Sequence, residues 1–198
     1  TQKIFIAGGR GMVGSAIKRK LKFFGYKNLI SPSRKEIDLT NRQKVLEWFD
    51  NNSPDIVILA AAKVGGIEAN RTNPTSFLLD NLNIQNNLIE NSFDFGVKRL
   101  LFLGSSCIYP KYSKQPISEE YLLSGHLEET NESYAIAKIA GIQLCKSLTK
   151  EKGFDAISLM PTNLYGPGDN YNLSNSHVLP ALIRKFHSAK MNNENFVS

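Results

Sequence analysis

The chain has 198 residues, enough for one domain with a sizeable core or for one domain and part of another, and its 41% hydrophobic and 21% charged residues are ordinary for a soluble globular protein. No apolar run approaches the roughly 18 residues a membrane span requires, so no membrane partner is expected. The net charge of +6 raises nucleic acid as a partner. However, the basic residues are dispersed (Lys18-Arg19-Lys20, Lys98-Arg99, Arg184-Lys185) and no basic run is interleaved with aromatics. Solvated surface charge with a few phosphate contacts to a small anionic ligand is the better reading, and no nucleic acid is expected.

In chain order, Ile4-Phe5-Ile6-Ala7 predicts a first strand behind a polar lead with no cleavable signal layout. It runs into Gly8-Gly9-Arg10-Gly11-Met12-Val13-Gly14, and a helix is expected over 12–24. A glycine turn between a first strand and a helix lets backbone approach a pyrophosphate, and the helix N-terminus supplies N–H donors to it. Leu29-Ile30 predicts a second strand, stopped at Pro32. NAD binders usually carry an acid there for the ribose 2′-hydroxyl. This chain has Ser31-Pro32-Ser33-Arg34, with no acid before Glu36. Arg10 and Arg34 suit a 2′-phosphate instead, so NADP(H) is the expected cofactor.

A helix over 43–51, a strand at Ile56-Val57-Ile58-Leu59 and a long helix from Asn73-Pro74 to about residue 95 follow. Leu100-Leu101-Phe102-Leu103 is almost wholly apolar, as a strand covered on both faces should be. Beyond a loop with Pro110, Pro116 and Gly125, a second long helix is expected over 134–152 and a strand over 157–160. The alternation predicts an α/β fold, a Rossmann-type doubly wound parallel sheet over residues 1–161. After Pro161 an Asn/Gly/Pro/Ser-rich stretch and a helix over 178–190 predict the start of a smaller substrate domain, 162–198, continuing past Ser198. Cys107 and Cys145 stand far apart in unlike contexts. No disulfide framework is indicated, which favours a reducing cytoplasm.

Tyr134-Ala135-Ile136-Ala137-Lys138 places a phenol and an ammonium one turn apart on one helix face. The ammonium is expected to lower the phenol's pKa, so that tyrosine can exchange a proton with a carbonyl or alcohol. Ser105, at the end of the preceding strand in Gly104-Ser105-Ser106-Cys107, can bond the same substrate oxygen. Cys107 is two positions further on, so in an extended segment both side chains point to one side.

Gly8 to Gly14, the Ser105 region and the Tyr134/Lys138 pair resemble the extended short-chain dehydrogenase/reductases. Within them, five blocks resemble the GDP-L-fucose synthase family, the GDP-4-keto-6-deoxy-mannose 3,5-epimerase/4-reductases. They are the segment ending Val13-Gly14-Ser15-Ala16-Ile17, Ala60-Ala61-Ala62-Lys63-Val64-Gly65-Gly66-Ile67, the run Leu101 through Lys111, the run Tyr134 through Gly141, and Met160 through Pro167. The likeness reaches Ser174-Asn175-Ser176-His177-Val178. It implies NADPH-dependent 3,5-epimerisation and 4-keto reduction of a GDP-sugar. Catalytic roles are implied for Ser105, Cys107, Tyr134, Lys138 and His177, with Cys107 and His177 exchanging protons at the ring carbons. Further cofactor contacts are implied from Asp38, Leu39 and Ala61, from Leu103, Gly104 and Ser106, and from Lys138, Pro161, Asn163, Leu164 and His177. No metal is implied. Lys185 stands where the family carries a sugar-nucleotide-binding arginine, and it keeps the charge without the bidentate fork. The two long helices resemble the pair that forms a homodimer interface in this superfamily.

Three other readings compete. A UDP-galactose-type 4-epimerase would retain NAD and favour the missing acid. A catalytically dead dinucleotide sensor would commonly have lost Tyr134 or Lys138. A fragment ending before most of a substrate domain would bind cofactor without turnover.

Overall fold

The structure, a computed structural model, describes residues 2–172 and 176–197. Strands β1 (Ile4–Ala7), β2 (Leu29–Ile30), β3 (Ile56–Leu59), β4 (Arg99–Leu103) and β5 (Ala156–Leu159) form a parallel sheet in the order β2-β1-β3-β4-β5. Helices α1 (Met12–Phe23), α2 (Arg42–Asn52), α4 (Pro74–Asp94) and α5 (Glu132–Lys152) fall within two residues of their expected bounds. A short α3 (Ile67–Thr72) precedes α4, and α6 (Val178–Met191) closes the described chain.

The sheet buries its faces unequally. Alternate side chains of a strand point to opposite faces, so Phe5, Ala7, Val57, Leu59, Leu100 and Phe102 share one face. There they pack with Val45 and Phe49 of α2, Leu88 and Ile89 of α4, and Ile142 and Cys145 of α5. Ile4, Ile6 and Ile58 point the other way, against Ile17 and Leu21 of α1. Helices on both faces make this the Rossmann-type doubly wound fold. The expectation that β4 is covered on both faces holds for only one of them. Leu100 and Phe102 are wholly buried, whereas Leu101 and Leu103 are half-buried, and neighbouring Ile157 and Leu159 of β5 are exposed.

β1 pairs with β2 on one side and β3 on the other, Ile4 standing opposite both Leu29 and Ile56. The chain therefore turns in opposite directions from the carboxyl ends of neighbouring strands, and a crevice opens there.

Two surface features differ from expectation. At the end of α1, Lys20 Nζ lies 5.3 and 4.9 Å from the ring centres of the exposed Phe23 and Phe24, so one basic run does interleave with aromatics. The helix α3 was not foreseen, because six residues after a glycine pair are too short to show a period. Among the described residues no helix is long and apolar enough to cross a membrane.

Candidate functional site

A cleft of about 690 Å³ runs along the carboxyl edge of the sheet. Its floor at β1 is the glycine turn. Gly8 has φ +79°, and a Cβ there would lie 2.7 Å from Ala61 N, so the β1 and β3 ends can approach only if position 8 is glycine. Helix α1 begins at Met12 with no side-chain cap and no acidic residue in its first turn. Its N-terminal amides and positive dipole are thus left for an anionic ligand. Gly8, Arg10, Gly11, Met12, Val13 and Gly14 all line the cleft. Gly9 does not. It packs on the Ser31 side chain, which a Cβ at position 9 would meet at 2.5 Å.

One end of the cleft is lined by Ser33, Arg34, Asp38, Leu39 and Thr40, beside Arg10. The Asp38 carboxylate accepts from Thr40 Oγ1 (2.7 Å) and N (3.0 Å), bonds that lower its pKa, and nearby Arg34 lowers it a little further. Arg10 reaches Glu36 at 3.5 Å, an exposed pair of little energetic weight. Both guanidinium groups stand at the rim of the cleft, where a phosphate could take them up.

The other end gathers the chemistry-bearing residues. Leu103, Gly104 and Ser105 leave β4, and Tyr134 and Lys138 rise from α5; all five line the cleft together with Ala61, Pro161, Asn163, Leu164 and His177. Ser105 is extended, but Ser106–Ile108 form a 3₁₀ turn in which Cys107 N donates to Ser105 Oγ at 3.4 Å. Strand alternation is thus not what places Cys107. A serine-capped turn brings it beside Ser105, Tyr134 and Lys138, just behind the lining. Ser106 likewise stays out of the cleft, its N–H donating to Pro161 O at 3.1 Å. The exposed His177 is the N-cap of α6. Ser174 and Asn175, from the block that carries its resemblance, lie outside the described residues. Lys185 borders a separate hollow with Ser188 and residues 193–197 and does not line the cleft.

The protonation pattern also departs from expectation. Lys138 Nζ donates to Leu103 O at 2.7 Å and lies 5.8 Å from the Tyr134 ring centre. Burial raises the Tyr134 pKa well above the ordinary phenol value, with the Cys107 sulfur adding to the rise and the Ser105 hydroxyl opposing it. The lysine's charge does not overcome that burial. Burial lowers Lys138 itself to about 8, and pushes the Cys107 thiol up. At neutral pH Tyr134 and Cys107 therefore both hold their protons. A protonated phenol is the form that can donate to a carbonyl oxygen.

Residues not singled out in the sequence hold the cleft loops from α4. Asn81 clamps Lys63: its Oδ1 accepts from Lys63 N at 2.8 Å and its Nδ2 donates to Lys63 O at 3.0 Å. Asn87 Nδ2 donates to Leu39 O at 2.9 Å, and Gln85 Nε2 to Ala137 O of α5 at 2.6 Å. All three side chains are buried. Their signal was carboxamides at the inward positions 81, 85 and 87 of a helix, positions that ordinarily carry apolar side chains.

The family model that matches residues 4–197 describes an NAD dependent epimerase/dehydratase family. The chain belongs to that family. GDP-L-fucose synthase 1 of Arabidopsis thaliana is 59% identical over 190 residues, 96% of this chain and 59% of that one. A GDP-6-OMe-4-keto-L-xylo-heptose reductase from Campylobacter jejuni superposes with a TM-score of 0.94 at 43% identity, over 98% of this chain and 56% of the other. A GDP-L-fucose synthetase from Naegleria fowleri, bound to NADP, gives 0.89 at 34%, over 100% and 65%. This epimerase-family chain spans about 59% of the plant relative's length.

Proposed function

We propose that the protein binds NADP(H) and converts GDP-4-keto-6-deoxy-D-mannose to GDP-L-fucose by 3,5-epimerisation and 4-keto reduction. The observation that carries this reading is the convergence of Ser105, Tyr134 and Lys138, with Cys107 behind them, on a cleft whose far end presents Arg10 and Arg34. The cleft suits a dinucleotide, because the Gly8 cradle leaves no room for a Cβ and α1 offers its uncapped N-terminus. Gly8 to Gly14 would hold the pyrophosphate, Arg10 and Arg34 the 2′-phosphate, Asp38 and Leu39 the adenosine side, and Asn163 and Leu164 the nicotinamide side. When bound, NADPH supplies the hydride for the 4-keto carbon. Named relatives of this chain are GDP-L-fucose synthases, and one solved neighbour was bound to NADP.

Within that reading, Ser105 and Tyr134 hold the 4-keto oxygen, and Tyr134 gives it a proton. Lys138 carries positive charge beneath the phenol, which would offset the charge Tyr134 is left with. Cys107 and His177 exchange protons at the carbons flanking the ketone. Residues 162–198 would begin a substrate-binding unit, to which Lys185 belongs, and the outer faces of α4 and α5 would pair two copies in the cytoplasm.

The test uses protein expressed from its complete reading frame, with GDP-4-keto-6-deoxy-mannose and NADPH in deuterated water. NADPH oxidation with deuterium at two ring carbons is expected. Oxidation without ring exchange would leave a simple reductase, as in the heptose reductase neighbour. Cys107→Ser is expected to suppress exchange, and Tyr134→Phe to suppress hydride transfer. Loss of the same step in both variants would overturn that division of roles.

A further inference from the structure

Around Gly66 the cleft wall carries polar atoms that no described residue satisfies. Asn70, on α3, lines the cleft and is 7% exposed. Its Nδ2 donates to Gly65 O at 2.9 Å and to Gly66 O at 3.1 Å. Those two bonds fix which end of the carboxamide faces the loop, so Oδ1 cannot exchange places with Nδ2. Oδ1 is buried and has no hydrogen-bond partner. From the other wall Ser176 also lines the cleft, with its Oγ buried and likewise without a partner. The two segments meet at Gly66, where a Cβ would lie 2.6 Å from Ser176 O. A buried acceptor left unpaired costs about 1–3 kcal/mol, and native interiors rarely leave one so without a use for it.

We infer that Asn70 and Ser176 form a hydroxyl-binding subsite that takes a hydroxyl of the sugar-nucleotide hexose. The chemistry follows from the two groups. A carboxamide oxygen only accepts, so its partner must carry a hydrogen, and a serine hydroxyl both donates and accepts. A sugar hydroxyl, able to give to Asn70 Oδ1 and receive from Ser176 Oγ, matches both at once. Ser176 immediately precedes His177, the residue placed at the reacting ring in the proposed reaction, so the hexose is the nearer source of that hydroxyl. The nicotinamide ribose carries the same chemistry and is the other source. The inference rests on the proposed function, because it presumes a sugar nucleotide in this cleft.

Ser176→Ala is the clean variant, since the Oγ makes no hydrogen bond to any described residue whose loss would disturb folding. In the complete protein, equilibrium binding of GDP-4-keto-6-deoxy-mannose, of GDP alone and of NADPH is measured for wild type and variant. A three- to tenfold weaker affinity for the sugar nucleotide is expected, the range one neutral hydrogen bond gives, with GDP and NADPH unchanged. Asn70→Ala, with thermal melting to show that it is folded, is expected to weaken the same ligand, and less than additively with Ser176→Ala. Weaker NADPH binding instead would assign the subsite to the cofactor ribose and overturn the hexose assignment. Unchanged affinity for all three ligands would overturn the subsite altogether. Failure of wild-type protein to bind the sugar nucleotide would be a failure of the proposed function itself, visible before any variant is made.

Discussion

Lys138 sits in a position that costs the folded state something. Its ammonium is buried, with one carbonyl partner at 2.7 Å and the Phe102 ring centre 4.8 Å away. Burial brings its pKa to about 8 from the free-lysine value. Because the folded pKa of this cationic group is lowered, the folded chain binds fewer protons than the unfolded chain between about pH 8 and the free-lysine range. Lys138 therefore weakens stability below pH 8, and that penalty is relieved as pH rises through this window. Activity moves the opposite way, since the charged form is the useful one in the proposed reaction. The kcat/KM profile for NADPH oxidation is expected to fall on its basic side with an apparent pKa near 8. A profile flat through pH 9 would remove the ammonium from the mechanism. At the far end of the cleft, Arg34→Leu is expected to raise the Kd for NADPH by roughly tenfold or more while leaving NADH unchanged, since only the former brings a 2′-phosphate to a guanidinium. Equal losses for both cofactors would show that Arg34 supports the loop instead.

At the scale of elements, α4 works as a bracket. Its hydrophobic side chains Leu88 and Ile89 bury against the sheet, while Asn81 and Asn87 reach out of the same helix to two loops that line the cleft. Asn87→Ala removes the bond to Leu39 O and leaves that carbonyl unpaired, a cost of about 1–3 kcal/mol. The expected outcome is a lower Tm together with a higher KM for NADPH and little change in kcat, because Leu39 lies at the arginine end of the cleft and not at Tyr134. A change in kcat alone would contradict this placement. The β4–α5 segment shows a similar division of labour. The 3₁₀ turn after Ser105 sets Cys107 behind the cleft lining, and the pitch of α5 sets Tyr134 and Lys138 on the facing side.

At the scale of the molecule, the two faces of the sheet differ in what they contribute. Phe49 and its neighbours on the α2–α4–α5 side are fully buried, whereas Leu159 on the edge strand is 45% exposed. Phe49→Ala is expected to destabilise the protein by about 3–5 kcal/mol, and Leu159→Ala by about 1 kcal/mol or less, measured by denaturant unfolding. Comparable losses would mean that the β5 edge is covered by more than the described residues. The strands and long helices were legible because their signals are local: unbroken apolar runs such as Ile56 to Leu59, a proline at the start of α4, a glycine after α5. The glycine turn and the Tyr134/Lys138 spacing were legible for the same reason. The carboxamide clamps, α3, and the reason Cys107 stands beside Ser105 were not. Each depends on a partner far along the chain or on a turn too short to have a period. The protonation states were not legible either. A tyrosine four residues from a lysine suggests a lowered phenol pKa, but burial outweighs that neighbour once the fold has sent the ammonium to Leu103 O. Sequence alone thus determined the α/β class, the glycine cradle and which side chains were candidates for the chemistry, because backbone propensity and residue spacing are encoded within a few positions. Only the tertiary structure decided which of those side chains reach one cleft and which protons they hold, because contact and desolvation are set by segments that meet from across the chain.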